Sequence, residues 1–289
     1  MGYDLYIGDR TYSSWSLRGW LMFHAFDIPV TTHMAGLYDG TMDQDLAHLA
    51  PARLVPVMTT TDGHVVQDTL AMAETLHEEN PDAGLWPSDP GLRALARGVT
   101  AEMHAGFSAL RGDCAMNLEH SWVGFKPTEA VKADLERIDA LWTLALDRSG
   151  SDGWLFGEYS LADVFYAPVA ARVAGYGLPM SDRALAYVAR HLSDPLVRQW
   201  RALGLTKSYD PRPYRLPLDQ APWPGPAPLP AKAVEKGTPE NDTCPYSGGA
   251  ITHLADINGR IFGMCNATCR DKTVNDAQAW PQFMAIYTS

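Results

Sequence analysis

Four groups of residues have side chains suited to chemistry. The first is a crowd of hydroxyls, Thr11, Ser13, Ser14 and Ser16, within "TYSSWSLRGWL". They stand at the start of an apolar pattern with helical spacing, Leu17, Trp20, Leu21 and Phe23. A helix entrance carries unpaired N–H groups and a partial positive charge, so it stabilises anions, thiolates included. A hydroxyl placed there can donate to a bound sulfur and lower the thiol pKa by favouring the charged form. The plainer role for Ser13 or Ser14 is an N-cap, for which one hydroxyl is enough.

The second group is Val55-Pro56, just before an apolar run. A proline there removes a ladder donor, so it belongs at a strand start or edge, and a cis bond is a candidate. The third is Asp68-Thr69, ahead of "LAMAETL". Both can simply cap or complement a helix. An acid and a hydroxyl on exposed N–H groups can also hold an α-amino-acid end, the acid taking the ammonium and the hydroxyl and N–H groups the carboxylate. The fourth is Cys244, His253, Cys265 and Cys269, a three-cysteine, one-histidine set in the last fifty or so residues, suited to zinc. The remaining cysteine, Cys114, reads as a small buried hydrophobe. His104, in "AEMHAGF", is either a hydrogen-bonded helix residue or part of a cleft wall.

Composition bounds what these groups can serve. The chain has 289 residues, 46% of them hydrophobic, enough for a sizeable core and more than one domain. Its formal net charge of -11 argues against nucleic acid and anionic membrane surfaces as partners. No apolar run reaches the roughly 18 residues of a membrane span, and "MGYDLYIGDR" does not read as a secretory signal. Four cysteines, three of them clustered late, are no disulfide framework and read as a metal or redox site in a cytoplasmic protein.

The elements that must position these groups follow from periodicity. Residues 3–8 and "IPVTTHMAGL" read as strands, and "LVPVMTTTDGHVVQD" as two strands joined at Asp62-Gly63. With the helices after Ser13 and Asp68 they make a small α/β unit over residues 1–82. From Pro90 to about Leu203 the patterns are helical. "SLADVFYAPVAARVAGYG" is apolar enough to be buried on most sides, and Ser160 and Asp163 form an N-terminal capping signature. Residues 83–209 therefore read as an all-helical domain. A Pro-rich linker, 210–242, follows, with Trp223 and Leu229 as candidate anchors. A compact tail, 243–289, is too small to fold well without a staple.

Over Tyr3 to about Leu203 the sequence resembles the glutathione transferase superfamily. The matching residues are Ser13 to Arg18, "SSWSLR", similar to the "SSCSWR" opening of zeta-class members; Val55-Pro56; Asp68-Thr69-Leu70-Ala71-Met72; and Ser160 to Asp163. The resemblance implies a thioredoxin-like first domain, a helical second domain and a homodimer. It gives Val55 and Pro56 the cysteinyl part of glutathione, Asp68 and Thr69 its γ-glutamyl end, and Ser13 the catalytic hydroxyl. A theta- or delta-like spacing selects Ser14 instead. Trp15 stands where the zeta class has cysteine, so the resemblance does not by itself imply the zeta isomerase chemistry. The tail resembles YHS/TRASH-like metal modules, with Ser247 at the place of their second cysteine.

Two functions follow. One is a glutathione-dependent transferase, in which the thiolate attacks a small electrophile. The other is a non-catalytic transferase-fold binding protein with a metal-sensing or metal-carrying tail.

Overall fold

A computed structural model describes residues 2–210 and 212–289; Met1 and the linker's Pro211 lie outside the described residues. The chain divides into two compact units, Met1–His191 with Leu216–Trp223, and Leu192–Arg215 with Pro224–Ser289.

The first unit begins with strand β1 (Tyr3–Ile7), helix α1 (Ser14–His24), strand β2 (Val30–Met34) and the single turn α2 (Met42–Asp45). Strands β3 (Val57–Thr59) and β4 (Val65–Gln67) and helix α3 (Thr69–Glu79) follow. The sheet order is β2-β1-β3-β4, with β2 parallel to β1 and the other pairs antiparallel. Alternation decides the face of β1: Tyr3, Leu5 and Ile7 are buried while Asp4 and Tyr6 are half-buried. Leu17, Trp20, Leu21 and Phe23 of α1 are buried at helical spacing. The turn from β3 to β4 closes through the Thr60 N–H on the His64 carbonyl, and Gly63 adopts φ 85°, where a side chain would be strained.

Helices α4 (Pro90–Ala105) and α5 (Ser108–Asp113), the short strand β5 (Ser121–Trp122), and helices α6 (Glu129–Ser149), α7 (Leu161–Tyr176) and α8 (Asp182–Ser193) follow. Helix α7 is buried almost throughout, as its apolar sequence predicts. Ser160 and Asp163 form the capping box, and Asp163 also accepts from the Leu155 N–H and the Tyr187 hydroxyl. The Tyr166 hydroxyl donates to the Val99 carbonyl at 3.0 Å and fixes α7 to α4.

The second unit takes helix α9 (Pro195–Gly204), strands β7 (Ala231–Val234), β8 (His253–Ile257) and β9 (Arg260–Met264), and helices α10 (Ala267–Asn275) and α11 (Pro281–Tyr287). The strands form an antiparallel meander β7-β8-β9. The two-residue strand β6 (Gln220–Ala221) lies between α9 and β7 in the sequence but belongs to the first unit, where it pairs with β5.

The Pro-rich stretch is thus more than a tether. Its Gln220–Ala221 completes a strand pair, Trp223 lies beside Gly175, and Leu229 packs on the second core. Helix α9 groups with the tail, because Ala202 belongs to the core of Phe262, Met264, Trp280 and Phe283. Arg198 makes a bidentate pair with Asp276 at 2.8 and 2.7 Å, and the Gln199 amide donates to the Ala279 carbonyl at 2.8 Å. Periodicity identifies such a helix without naming what its apolar face will meet. Among the described residues, no helix is long and apolar enough to cross a membrane.

Candidate functional site

The loop before α1 is held by Asp9, whose side chain accepts the Tyr12 N–H at 2.8 Å and whose carbonyl accepts the Ser13 N–H at 3.1 Å. Ser13 is the N-cap: its Oγ accepts the Ser16 N–H at 3.3 Å and donates its own proton to Ser16 Oγ at 2.8 Å. Ser16 Oγ in turn accepts the Gly8 N–H at 2.9 Å and ties the helix to β1. Ser14 Oγ accepts from the Arg172 guanidinium at 3.3 Å. The crowd of hydroxyls is thereby divided, with Ser13 and Ser16 structuring the turn and Ser14 facing a buried cation.

Positive charge gathers around this turn. Arg18 is buried and donates through Nε to the Phe165 carbonyl at 3.0 Å. Its guanidinium carbon lies 4.5 Å from the Trp15 ring centroid, and that of Arg111 lies 4.9 Å away. Burial, and then the charges of Arg172 and Arg111, hold the Arg18 pKa well below its ordinary value.

A cavity of about 300 Å³ lies beside Trp15. Its walls bring together Val55, Pro56, Asp68 and Thr69, four of the residues singled out in the sequence, with Trp15, Leu54, Gln67 and His104. Ser13 and Ser14 do not line it, although Trp15, the next residue, does. The Val55–Pro56 bond is cis. Two glycines admit this corner. A Cβ on Gly8 would stand 2.9 Å from Val55 Cγ2, and one on Gly19 would stand 2.9 Å from the Pro56 ring.

Asp68 adopts φ 82° as the N-cap of α3. Its Oδ1 accepts the N–H groups of Leu70 and Ala71 at 2.8 and 3.3 Å, and its Oδ2 lies 3.1 Å from His104 Nε2. Thr69 is buried, and its Oγ1 has no partner. An unsatisfied buried hydroxyl on a cavity wall, at a helix N-terminus, is a ready receiver for an anionic ligand. His104 also meets Trp15 edge-on at 5.3 Å. The sequence alone does not single out the wall residues Trp15, Leu54 and Gln67; of these Trp15 carries a signal, a large aromatic one step inside a helix entrance.

In the second unit the sulfurs of Cys244, Cys265 and Cys269 lie within 4.8 Å of one another, those of Cys265 and Cys269 being 3.9 Å apart. Among the described residues, His253 is not part of this cluster. It stands on β8 opposite Met264, one residue away from Cys265, and its Nδ1 lies 2.8 Å from Thr252 Oγ1. The sequence leaves the fourth position to His253 or to water, and the sulfurs that gather here are those of the three cysteines. Burial raises the Cys244 thiol pKa, but the N–H groups of Tyr246, Cys265 and Ser247 and the Ser247 hydroxyl outweigh burial and bring it down to about 6. Burial and the Cys265 thiol push Cys269 up to about 11. Lys272 Nζ lies 3.5 Å from the Tyr246 ring centroid and 3.9 Å from that of Trp280. Its charge acts on all three cysteines. Three cysteine sulfurs are a donor set fit for zinc, and the Lys272 ammonium offsets their charge. Cys114, by contrast, is fully buried, and burial pushes its thiol up to about 12.

Residues 12–79 match the family described as "Glutathione S-transferase, N-terminal domain". The chain is 28% identical over 183 residues to the maleylacetoacetate isomerase of Pseudomonas aeruginosa, covering 61% of this chain and 84% of that one. It is 28% identical over 178 residues to a probable maleylacetoacetate isomerase of Caenorhabditis elegans, covering 61% and 81%. Among solved structures it resembles a Burkholderia glutathione transferase homologue with bound glutathione, with TM-score 0.55 and 22% identity over 72% of this chain and all of that one. These relatives are enzymes by name. The fold they share with this chain is a thioredoxin-like domain followed by a helical domain.

Proposed function

We propose that the first unit is a glutathione-dependent transferase site. The observation that carries this is the convergence of Val55, Pro56, Asp68 and the unpartnered Thr69 hydroxyl on one cavity beside the first turn of α1. In this reading the Val55 backbone pairs with the cysteinyl part of glutathione. Thr69 and the N-terminal N–H groups of α3 take the γ-glutamyl carboxylate. Asp68 holds the helix entrance with one oxygen and leaves the other, shared with His104, for the ammonium.

The positive end of α1 and the guanidiniums near it favour the ionised thiol. A serine hydroxyl donates to the sulfur, and the thiolate attacks an electrophilic carbon, displacing a leaving group or adding to a double bond. Ser13 and Ser14 both remain candidates. The hydrogen bonds favour Ser14, since Ser13 gives its proton to Ser16 while Ser14 accepts from Arg172 and keeps its own proton to donate. The relatives named as isomerases support a variant in which glutathione adds and leaves again. Assays with electrophilic substrates test both, because a transferase consumes glutathione and an isomerase returns it. Inactivity towards all electrophiles despite glutathione binding would favour the non-catalytic scaffold.

The tail supports a second, separate reading. Cys244, Cys265 and Cys269 hold a metal ion, with zinc the expected one. Elemental analysis of the purified chain tests it.

A further inference from the structure

We infer that the zinc site of the tail keeps its fourth coordination position open on the Ser247 side, so that the ion exchanges with solution; this rests on the metal reading above. Zinc seeks four ligands, and sites closed by four protein side chains are structural, whereas three protein ligands leave a place for water or an incoming donor. Among the described residues, Cys244, Cys265 and Cys269 are joined by no fourth histidine, cysteine or carboxylate. The Ser247 hydroxyl lies beside the cluster and donates to Cys265 Sγ at 3.3 Å. Ser247 is exposed, and Cys265 and Cys269 are half-buried, so this side faces water. A neutral alcohol is a weak ligand beside thiolates, and water or a small thiol displaces it readily.

Cys244 is buried, and Asn266 Nδ2 donates to Cys265 Sγ at 3.3 Å. Three thiolates and a divalent ion leave one negative charge, which the Lys272 ammonium, held against Tyr246 and Trp280, offsets. The unit also has means of staying folded when the ion leaves. Its core of Phe262, Met264, Trp280 and Phe283 takes in Ala202 of α9, and the Arg198–Asp276 pair fastens that helix. A site that empties without unfolding its host suits transfer or sensing of the ion more than stapling.

The experiment uses the full chain loaded with zinc and follows release to a chromogenic chelator, with Ser247→Cys and Ser247→Ala alongside. The expected result is one ion per chain in the parent protein. Ser247→Cys closes the site with a fourth thiolate and slows release by at least about tenfold, the scale on which metal-site partners act. Ser247→Ala keeps the ion and its release rate. In the cobalt-substituted parent protein, an added small thiol changes the thiolate charge-transfer spectrum as it enters the open position, and it leaves that of Ser247→Cys unchanged. No zinc uptake by the parent protein would remove the metal reading itself. Zinc uptake with release unaffected by Ser247→Cys, or ion loss in Ser247→Ala, would leave the metal reading standing and overturn the open position. Uptake of copper(I) in place of zinc would also overturn it, since three thiolates satisfy that ion.

Discussion

Ser13 gives its proton to Ser16 and caps α1, while Ser14 sits against Arg172 with its proton free. Separate consequences follow. Ser14→Ala should lower turnover by about 10- to 10³-fold, the scale of losing one donor to a reacting anion, with little change in glutathione affinity. Ser13→Ala should chiefly cost stability, about 1 kcal/mol for a lost cap, read by denaturant unfolding. The reverse pattern would return the catalytic role to Ser13. A third residue-scale consequence concerns pH. His191 is fully buried between Trp154 and Tyr187, and burial, helped by the Arg190 charge, brings its pKa down to about 3. Burial likewise lowers His24 to about 4, with Arg10 adding to it. As pH falls below the ordinary histidine value, the unfolded chain takes up protons that the folded chain refuses. Stability present above about pH 6.5 is therefore lost progressively down to the lowered values, at up to about 1.4 kcal/mol per pH unit for each group. Unfolding midpoints measured across this range should fall, and His191→Phe should flatten part of the slope. A flat profile in the parent protein would contradict neutral burial.

At the scale of elements, the α/β unit was legible because its signals are local. Alternation in β1, helical spacing in α1 and the Asp62-Gly63 turn need no distant partner to be read. The candidate cradle was legible through Val55-Pro56 and Asp68-Thr69, whose residue types suit a corner and a helix entrance. What stayed hidden depends on long-range contact: His104 reaching Asp68, β6 pairing with β5, and α9 joining the tail. Gly19 was hidden too, since only the fold reveals that it faces Pro56. Gly19→Ala should overpack this contact, costing about 1–3 kcal/mol of stability and weakening glutathione binding as the Pro56 corner shifts. In the second unit, Asp276→Ala leaves Arg198 facing a lost partner in a largely buried setting, where breaking an ion pair costs about 3–5 kcal/mol. Limited proteolysis should then cut the tail far faster than in the parent protein; unchanged resistance would show that the aromatic core alone holds it.

At the scale of the whole molecule, two groups of residues suited to chemistry sit in two units, one lining a cavity and the other a cluster of the chain's own thiols. The net charge of -11 does not oppose the first, because the guanidiniums of Arg18, Arg111 and Arg172 and the entrance of α1 set the local field. The proposed glutathione site is the cavity of the first unit, with Thr69 receiving the carboxylate. The most direct test is a calorimetric titration of the full chain with reduced glutathione, with Thr69→Val and Cys265→Ser run in parallel. The account predicts saturable binding to the parent protein and weakening by roughly 1.5–3 kcal/mol in Thr69→Val, the worth of a hydrogen bond to a charged group. Thr69→Val should remain as stable as the parent, since it removes a hydroxyl with no partner, and Cys265→Ser should bind glutathione unchanged. No saturable binding by the folded parent protein, or full affinity in Thr69→Val with loss in Cys265→Ser, would contradict the account.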